Sequence, residues 1–446
     1  MSPVSVGRVL RRGVCAGAVG ALAVAGLGSG AAVADEVPQT DALAVQSPYD
    51  VTATVAPDGG VARYRPLALG LTHSNDAFTP TDGRLTVDAS GLAGVAEVAW
   101  PDNCTPDDSG TVAVCDTGDV PIRYSAQVRL KVRAVSGAAV GAQGTVTYSA
   151  EATGGPDGTL VAQGGNDTTV TVGSGVDLGI STPQDATGVE PGTSLTVPYA
   201  ITNTGDETAH GFSLSMWATY GLDVTTRYPQ CAYTGSDVDG TGFTTVTCSF
   251  DTEIAPGATV ELPAPLQLAV TGHALHDRFD YDVQPAADTT DLDSSDNSRS
   301  WHIDADNTAD FAVYGTSVSG AAGETVTSGF RFVNHGPAWA GDVSAGDPIT
   351  TIDFHLPEGT TATSVPRTCH NAWTSGDDPA IGHYACTLPT WAKPDLDVTF
   401  PFQLRIDRVV PDATGRVTTL SYSGTPLAFD SNTENNTAEV IVNPST

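Results

Sequence analysis

The sequence is poor in positive charge. Nineteen lysines and arginines stand against 52 aspartates and glutamates, a formal net charge of −33 over 446 residues. Only Lys131 and Lys393 are lysines. Nucleic-acid binders need basic side chains to neutralise phosphates, so that class is excluded. Docking on anionic lipid is excluded on the same ground. The chain also lacks the 3.6-residue apolar period of amphipathic helices. Beyond residue 34 no apolar run is long enough to span a bilayer. The nucleophile elbow GxSxG, the zinc-protease HExxH and the phosphate-binding GxxxxGK[ST] are absent from the mature chain. No catalytic residue is therefore assigned, and the expected protein is not an enzyme.

What the chain does hold is turn chemistry, with 48 glycines and 29 prolines. Its length suits roughly three domains of about 150 residues. Residues 1–34 read as a signal peptide: Arg8, Arg11 and Arg12 precede an apolar stretch from Val14 to Leu27. Ala32-Val33-Ala34 supplies the small residues of a cleavage site between Ala34 and Asp35. The expected location is secreted and extracellular. Residues 35–43 are polar and expected to be loose.

Past the cleavage site six cysteines remain, in three close pairs: Cys104 with Cys115, Cys231 with Cys248, and Cys369 with Cys386. The pairs recur at domain-length intervals. Outside the cytosol such even pairs read as disulfides. Nearest-neighbour pairing is the connectivity that respects the repeat, each bridge worth about 3 kcal/mol. No CxxC occurs, and no histidine pair completes a zinc set at ordinary sequence spacing.

Strand patterns recur with the cysteines. In Ser194–Gly205, Leu195, Val197, Tyr199 and Ile201 alternate before an Asn203-Thr204-Gly205 turn. In Thr325–Pro337, Phe330 and Phe332 alternate before Asn334-His335-Gly336-Pro337. Asp- and Asn-rich turns lead into a last strand at Asp293–Asp304 and at Asp430–Val442. Short strands, frequent turns and one bridge per unit predict an all-β chain of three tandem immunoglobulin-like β-sandwiches over 44–174, 175–304 and 305–446.

The third unit resembles an immunoglobulin-like repeat of bacterial surface and secreted proteins, the domain of unknown function eleven. The resemblance rests on Asn334 to Pro337, Leu356-Pro357-Glu358-Gly359, Cys369 with Cys386, and Asn435-Asn436-Thr437-Ala438. The second unit keeps Asn203-Thr204-Gly205, and the first mainly its cysteines. The resemblance implies a secreted, repeated building block without catalytic residues.

Two further sites are expectations. Asp293, Asp296, Asp304, Asp306 and Asn307 crowd the junction of units two and three, and oxygen ligands at that density suit Ca²⁺. A solvated acidic turn is the other reading. Trp339, Trp373 and Trp391 lie near turns of unit three and could stack on sugars, against ordinary core packing. His370 and His383 lie within the third cysteine loop, where they could approach each other or simply belong to a polar loop. The functional expectation is contact or adhesion with an extracellular protein or cell-wall polymer, or a spacer role. A carbohydrate-binding array is the alternative, and a secreted hydrolase the remote one.

Overall fold

The computed structural model describes residues 40–445 except 59, 163–166, 182, 198, 236–242, 342–347, 374–378 and 422. The signal peptide, its Ala34–Asp35 cleavage site and residues 35–39 lie outside the described residues. The chain is all-β, built as three tandem immunoglobulin-like sandwiches with one disulfide each. Regular helix among the described residues is confined to short 3-10 turns. No described helix is long and apolar enough to cross a membrane.

Each module stacks two sheets over alternating apolar side chains, because successive strand residues point to opposite faces. In module one, Leu67, Leu69 and Leu71 of strand Arg65–His73 meet Leu85 and Val87 of the facing sheet. Module two buries Leu214, Met216, Phe279 and Tyr281. Module three is phenylalanine-rich: Phe330, Phe332, Phe354, Phe400 and Phe402 fill its centre. Phe330 stacks on Phe400 at 4.7 Å between centroids, and Phe354 meets Phe402 edge-on at 4.9 Å.

The same topology runs through all three. The opening strand pairs antiparallel on one sheet, and the next strand crosses to the other sheet and pairs parallel with the module's last strand. Thus Asp50–Thr54 runs beside Thr168–Gly173, Ala186–Val189 beside Ser298–Ala305, and Ser317–Val318 beside Thr437–Val442. Each cysteine pair joins directly opposed residues of an edge strand and its neighbour. The bridges therefore fasten one sheet's edge and do not connect the two sheets.

The N-terminus differs from expectation. Leu43–Gln46 is a strand on Gly70–His73, and Asp41 is tied down rather than loose. Its carboxylate accepts the amides of Ser74 at 2.9 Å and Asn75 at 3.0 Å and contacts His73 Nδ1 at 3.0 Å. A short polar lead-in hides this, because its partners lie some thirty residues downstream.

Strand register reveals the repeat unit. Leu43 pairs with His73, Leu178 with Asn203, and Phe311 with Asn334. Asn203 and Asn334 are fully buried and bonded alike. Asn203 Nδ2 donates to the carbonyls of Glu207 and Ile254, and its Oδ1 accepts the Gly205 amide. Asn334 Nδ2 donates to Ala338 and Ala392, and its Oδ1 accepts the Gly336 amide. These asparagines are internal clamps that satisfy buried backbone groups. In module one His73 holds the position and Asp41 caps the turn in place of the amide oxygen.

Candidate functional site

The polar chemistry concentrates at the two joints between modules. At the first joint the opening strand of module two leaves Asp177 fully buried, and Arg65 of module one is buried beside it. The guanidinium contacts Asp177 and the Thr204 hydroxyl, lies 2.7 Å from Asp293 Oδ2 and 3.8 Å from Asp296 Oδ2. Three carboxylates thus converge on one buried cation. Burial lifts the Asp177 carboxyl, against the pull of Arg65. Burial also acts on Asp293, but the Ser295 hydroxyl and amide and then Arg65 outweigh it and hold that carboxyl below its ordinary value. Asp296 is farthest from the guanidinium. Burial pushes its carboxyl up to about 7, Arg65 opposing and the charges of Asp177, Asp293 and Asp291 adding. A proton entering the cluster therefore sits best on Asp296.

Beside this cluster is an open cleft of about 600 Å³. Tyr49, Asp50 and Tyr124 of module one line one side and Leu292, Asp293 and Asp296 of module two the other. Tyr49 is 80% exposed and Tyr124 54% exposed, unusual for aromatic rings.

The second joint is closed. Asp277 is buried and accepts the amides of Gly221 and Leu275 at 3.0 Å, the Thr219 hydroxyl, and Trp339 Nε1 of module three at 3.1 Å. Burial raises its carboxyl, while these donors pull the other way. His273 Nδ1 meets the Pro337 carbonyl at 2.8 Å, and the Trp339 amide donates to the His273 carbonyl. Tyr220 stacks on His273 and carries Lys393 Nζ 4.7 Å above its ring. Leu275 of module two packs into the core of module three.

The calcium set is not brought together. Asp293 and Asp296 precede strand Ser298–Ala305, and Asp304 and Asp306 lie at its far end, about 25 Å away at strand rise. The first two face Arg65, at the joint of modules one and two. Asp304 pairs with His276 at 2.9 Å, and Asp306 is exposed. Asn307 donates its Nδ2 to the Gly272 and Ala274 carbonyls, and its Oδ1 accepts the Thr308 amide at 2.9 Å. The aromatic platform is likewise divided. Trp339 is buried, Trp391 is partly buried beside Phe243, and the side chain of Trp373 lies outside the described residues. Arg65, Asp177, Asp277, Tyr49 and Tyr124 are the residues that reading the sequence missed.

No known family and no curated protein matches the chain. Among solved structures, it is similar to trypsin-activated alpha-2-macroglobulin from Escherichia coli at 14% identity and a TM-score of 0.22, over 71% of this chain and 21% of that one. The chain thus spans about a fifth of that protein's length. It is similar to the Escherichia coli adhesin FdeC at 11% identity and a TM-score of 0.20, over 91% and 97% of the two chains. A complex of Dpr2 Ig1-Ig2 with DIP-Theta Ig1-Ig3 gives 9% identity and a TM-score of 0.25, over 90% of this chain and 100% of that one. These scores are low, and the fold assignment rests on the strand pairing and the three cores.

Proposed function

We propose that this protein is a secreted, non-enzymatic contact protein that holds three immunoglobulin-like modules in a set order and presents the cleft of the first joint to an extracellular polymer or protein. The observation that carries this reading is the first joint itself. A buried Arg65–Asp177 pair fixes the walls of a cleft whose rim carries exposed tyrosines. Rings held by a rigid frame lose little entropy when a ligand stacks on them. Asp50, Asp293 and Asp296 give hydrogen-bond acceptors beside the rings, which suits the hydroxyls or amines of a cell-wall polysaccharide. This favours a carbohydrate contact through tyrosines over one through the tryptophans of module three. The kinship of module three with the bacterial immunoglobulin-like repeat belongs to the same proposal, and its Asn334 clamp gives the shared motif a physical role.

The test is retention of the full chain on insoluble peptidoglycan, chitin and cellulose, compared with Tyr49→Ala, Tyr124→Ala and Trp373→Ala. Retention that the tyrosine variants abolish supports the cleft. Retention lost only in Trp373→Ala moves the contact to module three, and no retention of any chain removes the carbohydrate reading.

A further inference from the structure

We infer that the outer face of module three carries a binding site for a first-row divalent transition ion such as Zn²⁺, formed by Asp353, His355 and His383. The three residues bring their ligand atoms within 4.8 Å of one another. Strand Thr350–His355 lies inside its sheet, between Ala413–Ser421 and Pro379–Thr387. Ile352 and Phe354 point into the core, so Asp353 and His355 project outward on one face. His383 stands directly opposite His355 across the ladder, which places its side chain on that same face. The hydrogen-bonded frame thus presents two imidazoles and a carboxylate from adjacent strands with little freedom to drift.

The ligand atoms are spaced close to what a tetrahedral ion asks for. Ligand atoms bonded to zinc at about 2.0–2.1 Å sit roughly 3.3 Å apart. His355 Nε2 lies 3.1 Å from Asp353 Oδ2, and His383 Nε2 contacts Asp353 Oδ1. The two rings stack at 3.9 Å between centroids, 17° from parallel, so both nitrogens sit against the same carboxylate from one side, and sharing an ion requires the rings to turn out of the stack. Without an ion, the His383 ring must place a proton on Nε2 to donate to the Asp353 carboxylate. A divalent ion would instead take both nitrogen lone pairs and one carboxylate oxygen. Two nitrogens and one oxygen suit zinc, nickel or copper and do not suit calcium or magnesium, which prefer all-oxygen shells. His355 is half exposed, so the remaining coordination position faces solvent and is open to water or to a partner's side chain.

Neighbouring charges are balanced around the trio. Arg416 stands opposite His355 on the next strand, and Glu439 stands opposite Arg416. His370 lies on the same face but two strands from Asp353, with Ala385 between them. His383 therefore faces His355 and not His370. Local sequence spacing could not show this site, because its histidines meet only through strand pairing.

The experiment is calorimetric titration of the full, chelator-treated chain with Zn²⁺, and with Co²⁺ followed by visible absorption, in the presence of excess Ca²⁺ to saturate weak carboxylate sites. One equivalent should bind, with the d–d bands of nitrogen-ligated cobalt. His383→Ala, His355→Ala and Asp353→Asn should each weaken binding by about 10- to 100-fold or more, the range that even outer-shell losses produce. His210→Ala, on an exposed histidine of module two, should leave it unchanged. All three altered side chains sit on an outer sheet face, and far-ultraviolet dichroism of each variant confirms its fold. Absence of stoichiometric binding above the calcium background overturns the inference. So does binding that folded variants retain at wild-type strength. The carbohydrate test above leaves this outcome untouched.

Discussion

Asp177 of module two and Asp310 of module three occupy the same position and are neutralised in opposite ways. Each immediately precedes the residue that pairs with its module's buried asparagine, Leu178 with Asn203 and Phe311 with Asn334. Around Asp310 stand Asn432 and Asn435, whose Nδ2 groups lie 3.5 and 2.8 Å from its Oδ1. Around Asp177 the matching positions are Asp293 and Asp296. The alignment is set by Asp291 and Asp430, which accept the Leu178 and Phe311 amides at 2.8 and 2.9 Å. Module three satisfies its carboxylate with its own amides. Module two carries three acids there and depends on a cation supplied by its neighbour.

Replacing Arg65 with Met should therefore loosen the first joint severely. Breaking a buried pair by removing one partner costs about 3–5 kcal/mol, because the other charge stays buried. The double change Asp293→Asn with Asp296→Asn copies the module-three solution. Introduced alongside Arg65→Met, it should recover part of the loss. Calorimetric melting reads the stability, and small-angle scattering reads whether modules one and two uncouple. A singly substituted chain that melts and scatters like the wild type would show that the guanidinium is dispensable.

Acidity should act on the same joint with a definite sign. Asp296 is raised from 3.8 to about 7 in the folded chain. Between those values the folded state keeps a proton that the unfolded state has released. Stability from this group is thus full below the lower value and is lost as pH rises through the upper one. Urea midpoints for wild type and Asp296→Asn, compared at about pH 5 and about pH 8, isolate the effect. The variant's advantage should be larger at the higher pH, and an advantage that does not grow with pH would contradict the assignment.

The contrast also explains what could be read from the chain. Strand alternation, turn residues and cysteine pairs are local signals, and they carry the fold. Asn203 and Asn334 were visible as turn markers, but their clamping of Ile254 and Ala392 was not, because those carbonyls lie more than fifty residues away. Matching the acidic turns by eye sets Asp293 against Asp430. Backbone pairing sets Asp291 there instead, and that shift of two residues turns a supposed calcium shell into an arginine lock. Arg65 reaches Asp177 across 112 residues, a pairing that no periodicity announces.

The asparagine clamps give a sharp substitution test. Asn334→Asp keeps the shape but exchanges two donors for acceptors facing the Ala338 and Ala392 carbonyls. Each buried carbonyl left unpaired costs about 1–3 kcal/mol. Asn334→Asp should therefore destabilise module three more than Asn334→Ala, which removes the repulsion along with the bonds. Denaturant midpoints order the two variants, and the reverse order would mean that the amide is not the clamp.

Trp339 and Trp391 separate hydrogen bonding from packing at the second joint. Trp339 Nε1 donates to the buried Asp277, whereas Trp391 Nε1 is buried with no partner among the described residues. Trp339→Phe should leave Asp277 one donor short in a site already hard on its charge, a loss of about 1–3 kcal/mol beyond the change in ring volume. Trp391→Phe forfeits no such bond and relieves an unpaired N–H, so its cost should come from packing alone and be smaller. If joint stability depends on the Asp277 network, only the first change will also weaken the coupling between the melting of modules two and three. Equal effects from both substitutions would mean that ring volume, and not the donor to Asp277, holds the joint closed.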